Sequence, residues 1–261
     1  MPWSDAPAIT VVLVVALLAL VVVPLAQMLG DGAGAQHGLE PLLELVAVLL
    51  GLLVVSVSLH ALEAQEQARA NVLVVGFGVA AACNFLHGVL VHSGPVHMPP
   101  GSADMSLWLS SWARVAEALT LGLTATRLSA PGPARAWLAA AGGVTLVLAG
   151  SALGPLPHWF AHAADGALRQ VVAVGLALAL AASAVLLYRR SRSEEAPRER
   201  LFAWAAGVFV CGEVTVGALG GHSTLGGVLS HGFRVVAYAL LYQAVFDAGI
   251  RRPFARIQEA E

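Results

Sequence analysis

The sequence predicts an all-α, polytopic membrane protein: a helical bundle of about eight transmembrane helices with both termini in the cytoplasm. Three observations carry that prediction. Hydrophobic residues make up 58% of the 261 and charged residues only 11%, whereas an ordinary soluble domain is about a quarter charged. The apolar residues fall into eight runs, each long enough to cross a hydrocarbon core of about 30 Å. All 14 basic residues are arginines, and their placement follows the two sides of a membrane. Arg69, Arg127, Arg135, Arg189, Arg190, Arg192, Arg198, Arg200, Arg251, Arg252 and Arg256 occupy alternate gaps or the C-terminus. Only Arg169 lies in a gap of the other set, and Arg114 and Arg234 lie inside apolar runs. Basic residues are retained on the cytoplasmic face during insertion, so the arginine-rich gaps define the inside.

The first run, 8–29, follows the leader MPWSDAP, which has no positive charge and carries Asp5. It therefore reads as a span and not as a cleaved signal peptide. The second, 41–62, opens at Pro41 and carries Glu44; the third, 71–93, carries Asn84 and His87, three apart and so on one face. The connector 94–105, GPVHMPPGSADM, is bent by Pro and Gly and is either a lid or a plain link. The fourth run, 106–127, spaces Ser106, Ser110, Arg114, Glu117 and Thr120 by three and four, with Arg114 and Glu117 within mutual reach. The fifth, 136–153, is the shortest and glycine-rich, and the sixth spans 169–188. RRSRSEEAPRER, 189–200, is the main cytoplasmic loop, with Glu194, Glu195 and Glu199 among its arginines. The seventh run, 201–219, carries Glu213, and the eighth, 227–249, sets His231, Arg234, Tyr238 and Tyr242 on one face. The loops 31–40, 94–105, 154–168 and 220–226 then face outward.

A charge at mid-bilayer costs at least about 2.5–3.5 kcal/mol, so each buried ionisable group must face protein, water or a partner. Counted from the outer ends, Glu44, His87, Arg114, Glu213, His231 and Arg234 fall in the outer half of the bilayer, and Glu117 and Tyr238 near its midplane. Two readings follow. Arg114–Glu117 and Arg234–Glu213 are ion pairs that lock helices together, or the same groups also line a pocket open to the outside. Six further histidines, His37, His92, His97, His158, His162 and His222, lie in or beside outward loops, and His60 lies toward the inside. His158 and His162 have a metal-ligand spacing if that stretch is helical, and His92, His97 and Met98 form a loose set suited to copper. Both cysteines, Cys83 and Cys211, fall within apolar runs and read as packed thiols. No P-loop, GxSxG or GxGxxG motif occurs, and no basic patch interleaved with aromatics. The expectation is a protein with no catalysis of its own and no nucleic-acid partner.

The stretch SHGFRVVAYALLYQAVFDAGIRRPF, 230–254, resembles the terminal helix of bacterial membrane-associated sensor domains of the MASE type, MASE3-like. NFLHG, 84–88, is similar to that family's Asx-x-x-His segment, and ARVAEAL, 113–119, to its Arg-x-x-Glu helix. The resemblance implies an integral-membrane input module, with Asn84, His87, Arg114, Glu117, His231, Arg234, Tyr238 and Tyr242 as its motif polar residues. Where it leads one to expect a tryptophan four residues before Arg114, this chain has Ser110, with Trp112 nearby. Relatives continue into a cytoplasmic output domain, whereas this chain reaches FARIQEAE where a signalling helix would begin.

The expected organisation is thus an integral membrane sensor domain over 1–250 and the start of a cytoplasmic linker over 251–261. Asn84, His87, Arg114, Glu117, Glu213, His231, Arg234, Tyr238 and Tyr242 are its ligand-binding residues. The expected setting is the bacterial inner membrane, with a small ligand, and a cytoplasmic signalling protein or a second copy of the chain as partners. The rival reading is a haem or metal protein, an electron carrier or redox sensor, with His87 and His231 as axial ligands. A transporter is disfavoured, since neither broken helices nor inverted repeats are found.

Overall fold

The computed structural model describes residues 33–60, 67–92, 102–128, 130, 132–162, 167–193, 197–219, 224–251, 254 and 258. Over them the protein is an all-helical membrane bundle. The helices are α1 (Ala33–His60), α2 (Gln67–His92), α3 (Ser102–Ala125), α4 (Ala134–Ser151), α5 (Leu156–His162), α6 (Ala167–Ser193), α7 (Pro197–Leu219) and α8 (Thr224–Phe246). A five-residue π-turn, Asp247–Arg251, continues α8.

The second to eighth apolar runs each coincide with one helix. The first, 8–29, and most of the connector 94–105 lie outside the described residues. By length and apolarity alone, five of the described helices qualify to cross a bilayer: Leu39–His60, Gln67–Val91, Ala167–Arg192, Arg198–Ala218 and Gly226–Arg251. The apolar part of α4 is shorter, and α3, with its polar face, is not among the five. Several boundaries differ from expectation: α3 starts at Ser102 inside the expected connector, and α6 and α7 extend to Ser193 and from Pro197 into the expected loop 189–200. Helix α1 begins at Ala33 and runs through Pro41, so 33–40 is helix where a loop was expected. Within 154–168, Leu156–His162 closes into α5.

Helices α1, α2, α3, α6, α7 and α8 surround the main core. Tyr238 is fully buried at its centre, its ring edge-on to Phe77 at 5.7 Å and to Phe209 at 5.6 Å. Gly51 of α1 makes room for that ring, since a Cβ there would stand 3.3 Å from Tyr238 Cε1. A smaller cluster joins α2, α3 and α4 around Val79, Cys83, Leu109 and Ala113. Leu45, Leu49 and Leu52 on α1, Leu146 and Val147 on α4, and Val171, Val174 and Leu178 on α6 are all exposed. In water such faces would drive aggregation; against lipid tails they are the expected surface. Cys83 is buried, but Cys211 is exposed on this outer surface and is not the packed thiol expected.

At the α3–α4 turn the chain is held to α2 by the Ala130 N–H, which donates to the Ala68 carbonyl at 2.9 Å, and by one buried side-chain amide. Asn71 Nδ2 donates to the carbonyls of Ala130 at 2.6 Å and Gly132 at 3.0 Å. Gly132 has φ +118°, which a side chain would strain. Asn71→Ala leaves both carbonyls without that donor and is expected to cost about 1–2 kcal/mol. Thermal unfolding of the detergent-purified variant measures this; a melting profile matching the wild type would mean that the amide does not hold the turn.

Candidate functional site

The ionisable residues converge at one end of the bundle because consecutive helices reverse direction there. The N-terminal part of α1, the C-terminal part of α2, the N-terminal part of α3, the C-terminal end of α7 and the N-terminal part of α8 meet around a cavity of about 440 Å³. Glu40, His87, Ser106, Ser110, Arg114, His231 and Arg234 give it its polar wall. At the opposite end, Arg69 of α2 donates to Glu199 of α7 at 2.6 Å.

Behind the wall lies a buried network of four side chains from three helices. Arg234 Nη1 donates to Asn84 Oδ1 at 3.1 Å, and its Nε lies 4.0 Å from Glu117 Oε2. The Tyr238 hydroxyl donates to Glu117 Oε1 at 2.8 Å, and Asn84 Nδ2 reaches the same oxygen at 3.5 Å. All four residues are buried. The guanidinium thus bridges α2 and α3 from α8, donating to an amide oxygen on one and lying within ion-pair distance of a carboxylate on the other.

The second pair is Arg114 with Glu213, Nε to Oε1 at 3.3 Å. This corrects the expected pairing of Arg114 with Glu117 and Arg234 with Glu213: the structure crosses the partners. Spacing of three along one helix puts Arg114 and Glu117 on the same face but does not turn the two side chains toward each other. Packing instead sets Glu117 against α8 and Arg114 against α7, and in low-dielectric surroundings the nearer partner wins.

The histidines face carboxylates of α1. His87 Nδ1 lies 3.0 Å from the Ser106 carbonyl and 2.8 Å from its hydroxyl, while Nε2 lies 3.7 Å from Glu44 Oε1. His231 Nε2 lies 3.6 Å from Glu40 Oε1. Glycines permit both approaches. A Cβ on Gly88 would stand 3.1 Å from the Glu44 carboxyl carbon, and one on Gly227 only 2.6 Å from Glu40 Oε1. Glu40 lies outside the expected span because Pro41 reads as a helix start; its place one turn before Glu44 is the available signal.

Of the predicted site residues, His87, Arg114, His231 and Arg234 line the cavity, and Asn84, Glu117, Glu213 and Tyr238 pair with each other or with those arginines behind it. Tyr242 does neither among the described contacts. One turn beyond Tyr238, it packs against the main core with its ring 5.6 Å from Phe246. Nearby, α5 sets His158 and His162 one turn apart, with His158 Nδ1 3.0 Å from Asp104 Oδ2 and His162 Nδ1 4.0 Å from the same oxygen. These two imidazoles are exposed, unlike those of the cavity. A second cavity, of about 380 Å³ between α2, α3 and α4, is almost wholly apolar and offers nothing to orient a charged ligand.

The MASE3 family, described as a membrane-associated sensor domain, matches residues 37–253. No curated protein and no solved structure matches the chain.

Proposed function

Since the chain belongs to the MASE3 family of membrane-associated sensor domains, we propose that it is a non-enzymatic signal-input module of a bacterial inner membrane. A small polar ligand or ion enters the cavity from the outer side, and the response leaves through α8. The observation that carries this reading is the double role of Arg234. It lines the cavity and also holds α2 and α3 to α8 through Asn84 and Glu117. A ligand that acts on Arg234, by accepting its hydrogen bonds or by repelling it as a cation would, alters those contacts, so it has unequal affinity for two packings of the helices, which is what transmission requires. The π-turn at Asp247–Arg251 supports the same direction, because a widened turn is a soft point at which a small displacement of α8 can be relayed. Residues 251–261 are then the start of a cytoplasmic linker to an output partner or a second copy of the chain.

The test reads the far end of α8 while the cavity is altered. Ala248→Cys, in a Cys211→Ala background that leaves only the buried Cys83, is labelled with a maleimide in the purified full chain. Ser110→Trp, which fills the cavity, is expected to change the labelling rate at 248 several-fold, as is Arg234→Gln. If both variants are folded and label at the wild-type rate, α8 does not report on the cavity and the reading fails.

A further inference from the structure

Two imidazoles flanking one iron on opposite faces stand about 4 Å apart, given metal–nitrogen bonds of about 2 Å. In this cavity a carboxylate oxygen of Glu44 and a ring nitrogen of each of His87 and His231 all lie within 4.8 Å of one another. An oxygen that close to both nitrogens would sit inside the volume of the macrocycle, so the trio does not leave a haem its place. It does suit a single ion. We infer that Glu44, His87 and His231 bind one divalent transition-metal ion of the zinc type, His231 through Nδ1, with the Glu40 carboxylate at its other ring nitrogen.

Four features carry this. The donor set, two imidazoles and a carboxylate from α1, α2 and α8, is one that zinc-type ions take in tetrahedral sites that keep an open position. The separations fit: donors about 2.0–2.1 Å from a tetrahedral centre stand roughly 3.4 Å apart, and His87 Nε2 is 3.7 Å from Glu44 Oε1, too long for a hydrogen bond. His87 is also oriented as metal-ligating histidines are. In the tautomer protonated at Nδ1, which faces the Ser106 carbonyl at 3.0 Å and its hydroxyl at 2.8 Å, the Nε2 lone pair turns toward Glu44. Finally, His231 Nδ1 is buried with no hydrogen-bond partner among the described residues, a costly state for a ring nitrogen that a ligand would relieve. The nearby Arg234 is a like charge, but it is already paired with Glu117. Glu44 places a carboxylate beside His87 Nε2, where the ion would lie, and Glu40 faces the other ring nitrogen of His231, Nε2.

This inference names the ligand class for the input cavity and so rests on the reading above, but its test is independent of signalling. The full chain, purified in detergent and stripped with a chelator, is titrated with Co2+ and followed by its visible d–d absorption, then with Zn2+ in competition. One Co2+ per chain with the intense bands of low coordination number is expected, displaced by Zn2+. Glu44→Gln, His87→Ala and His231→Ala should each weaken binding at least tenfold, whereas Ser106→Ala, which keeps the carbonyl that orients His87, should leave it within a few-fold. Glu44→Gln is nearly isosteric and separates lost binding from lost fold. The exposed trio Asp104, His158 and His162 is the competing site; His158→Ala/His162→Ala should leave binding intact. Wild-type protein that binds neither Co2+ nor Zn2+ overturns the inference, as does binding abolished only by the His158/His162 variant. If the metal binds but labelling at position 248 ignores it, the metal site stands and the sensing route falls. If no metal binds while Ser110→Trp still alters labelling, sensing stands and the metal falls.

Discussion

Arg234→Leu is expected to lower the stability of the purified protein by about 3–5 kcal/mol, or to prevent its assembly, because it strands the Glu117 carboxylate in a dry core. Glu117 keeps the Tyr238 hydroxyl and the Asn84 amide as donors but loses its positive partner. Arg234→Leu/Glu117→Leu removes both charges and should recover much of the loss, since a buried ion pair replaced by apolar groups of similar volume is often near neutral. Thermal stability in detergent, followed by size-exclusion chromatography, measures all three proteins. A double-mutant cycle distinguishes the crossed partners from those that sequence spacing suggests. Coupling should be largest for Arg234 with Glu117 and for Arg114 with Glu213, and smaller for the two alternative pairings. A single variant as stable as the wild type would show that the guanidinium does not hold α8 in place.

Gly76→Val should be at least as damaging, for steric and not electrostatic reasons. A Cβ on Gly76 would stand 2.6 Å from Thr120 Cβ and 2.9 Å from its Cγ2, so no rotamer change of Thr120 removes the clash. The backbones of α2 and α3 must move apart, which is expected to cost about 3 kcal/mol or more. In a membrane this is also where association is strongest, because small residues let helices approach closely when no hydrophobic effect drives them together. The displacement would reach Asn84, two turns along α2, and loosen its contacts with Glu117 and Arg234. Thr120→Gly in the same chain should restore assembly. By contrast Gly143, with nothing within 4 Å of its added Cβ, should accept alanine with no loss. A well-folded Gly76→Val protein with wild-type thermal stability would refute the close α2–α3 packing.

The helices were legible because apolar length is written locally. Runs such as 71–93 and 201–219 became α2 and α7 with little adjustment of their ends. Boundaries failed where one residue was given too much weight. Pro41 suggested a helix start, yet α1 passes through it. Proline excludes a position from the interior of a ladder only by its own missing donor and by the turn preceding it, and one such defect does not end a long apolar helix. The candidate site was legible in composition: helical spacing put Asn84 with His87, and His231 with Arg234 and Tyr238, on shared faces. Tyr242 shares the face of Tyr238 by spacing, yet one further turn carries it past the polar cluster into contact with Phe246.

The sequence alone determined that this is a multi-span helical membrane protein, and which side chains are too costly to leave facing lipid. Both are properties of single segments: the free energy of moving a residue into hydrocarbon depends on the residue and its depth and hardly on its neighbours. Which carboxylate meets which arginine, and that Glu40 and Glu44 come to stand opposite His231 and His87, was decided by tertiary structure. Ion pairing falls off with distance and depends on how much water is excluded. Those distances are set by how closely α1, α2, α3, α7 and α8 pack, through Gly51, Gly76, Gly88 and Gly227, and no helical repeat within one segment encodes that approach.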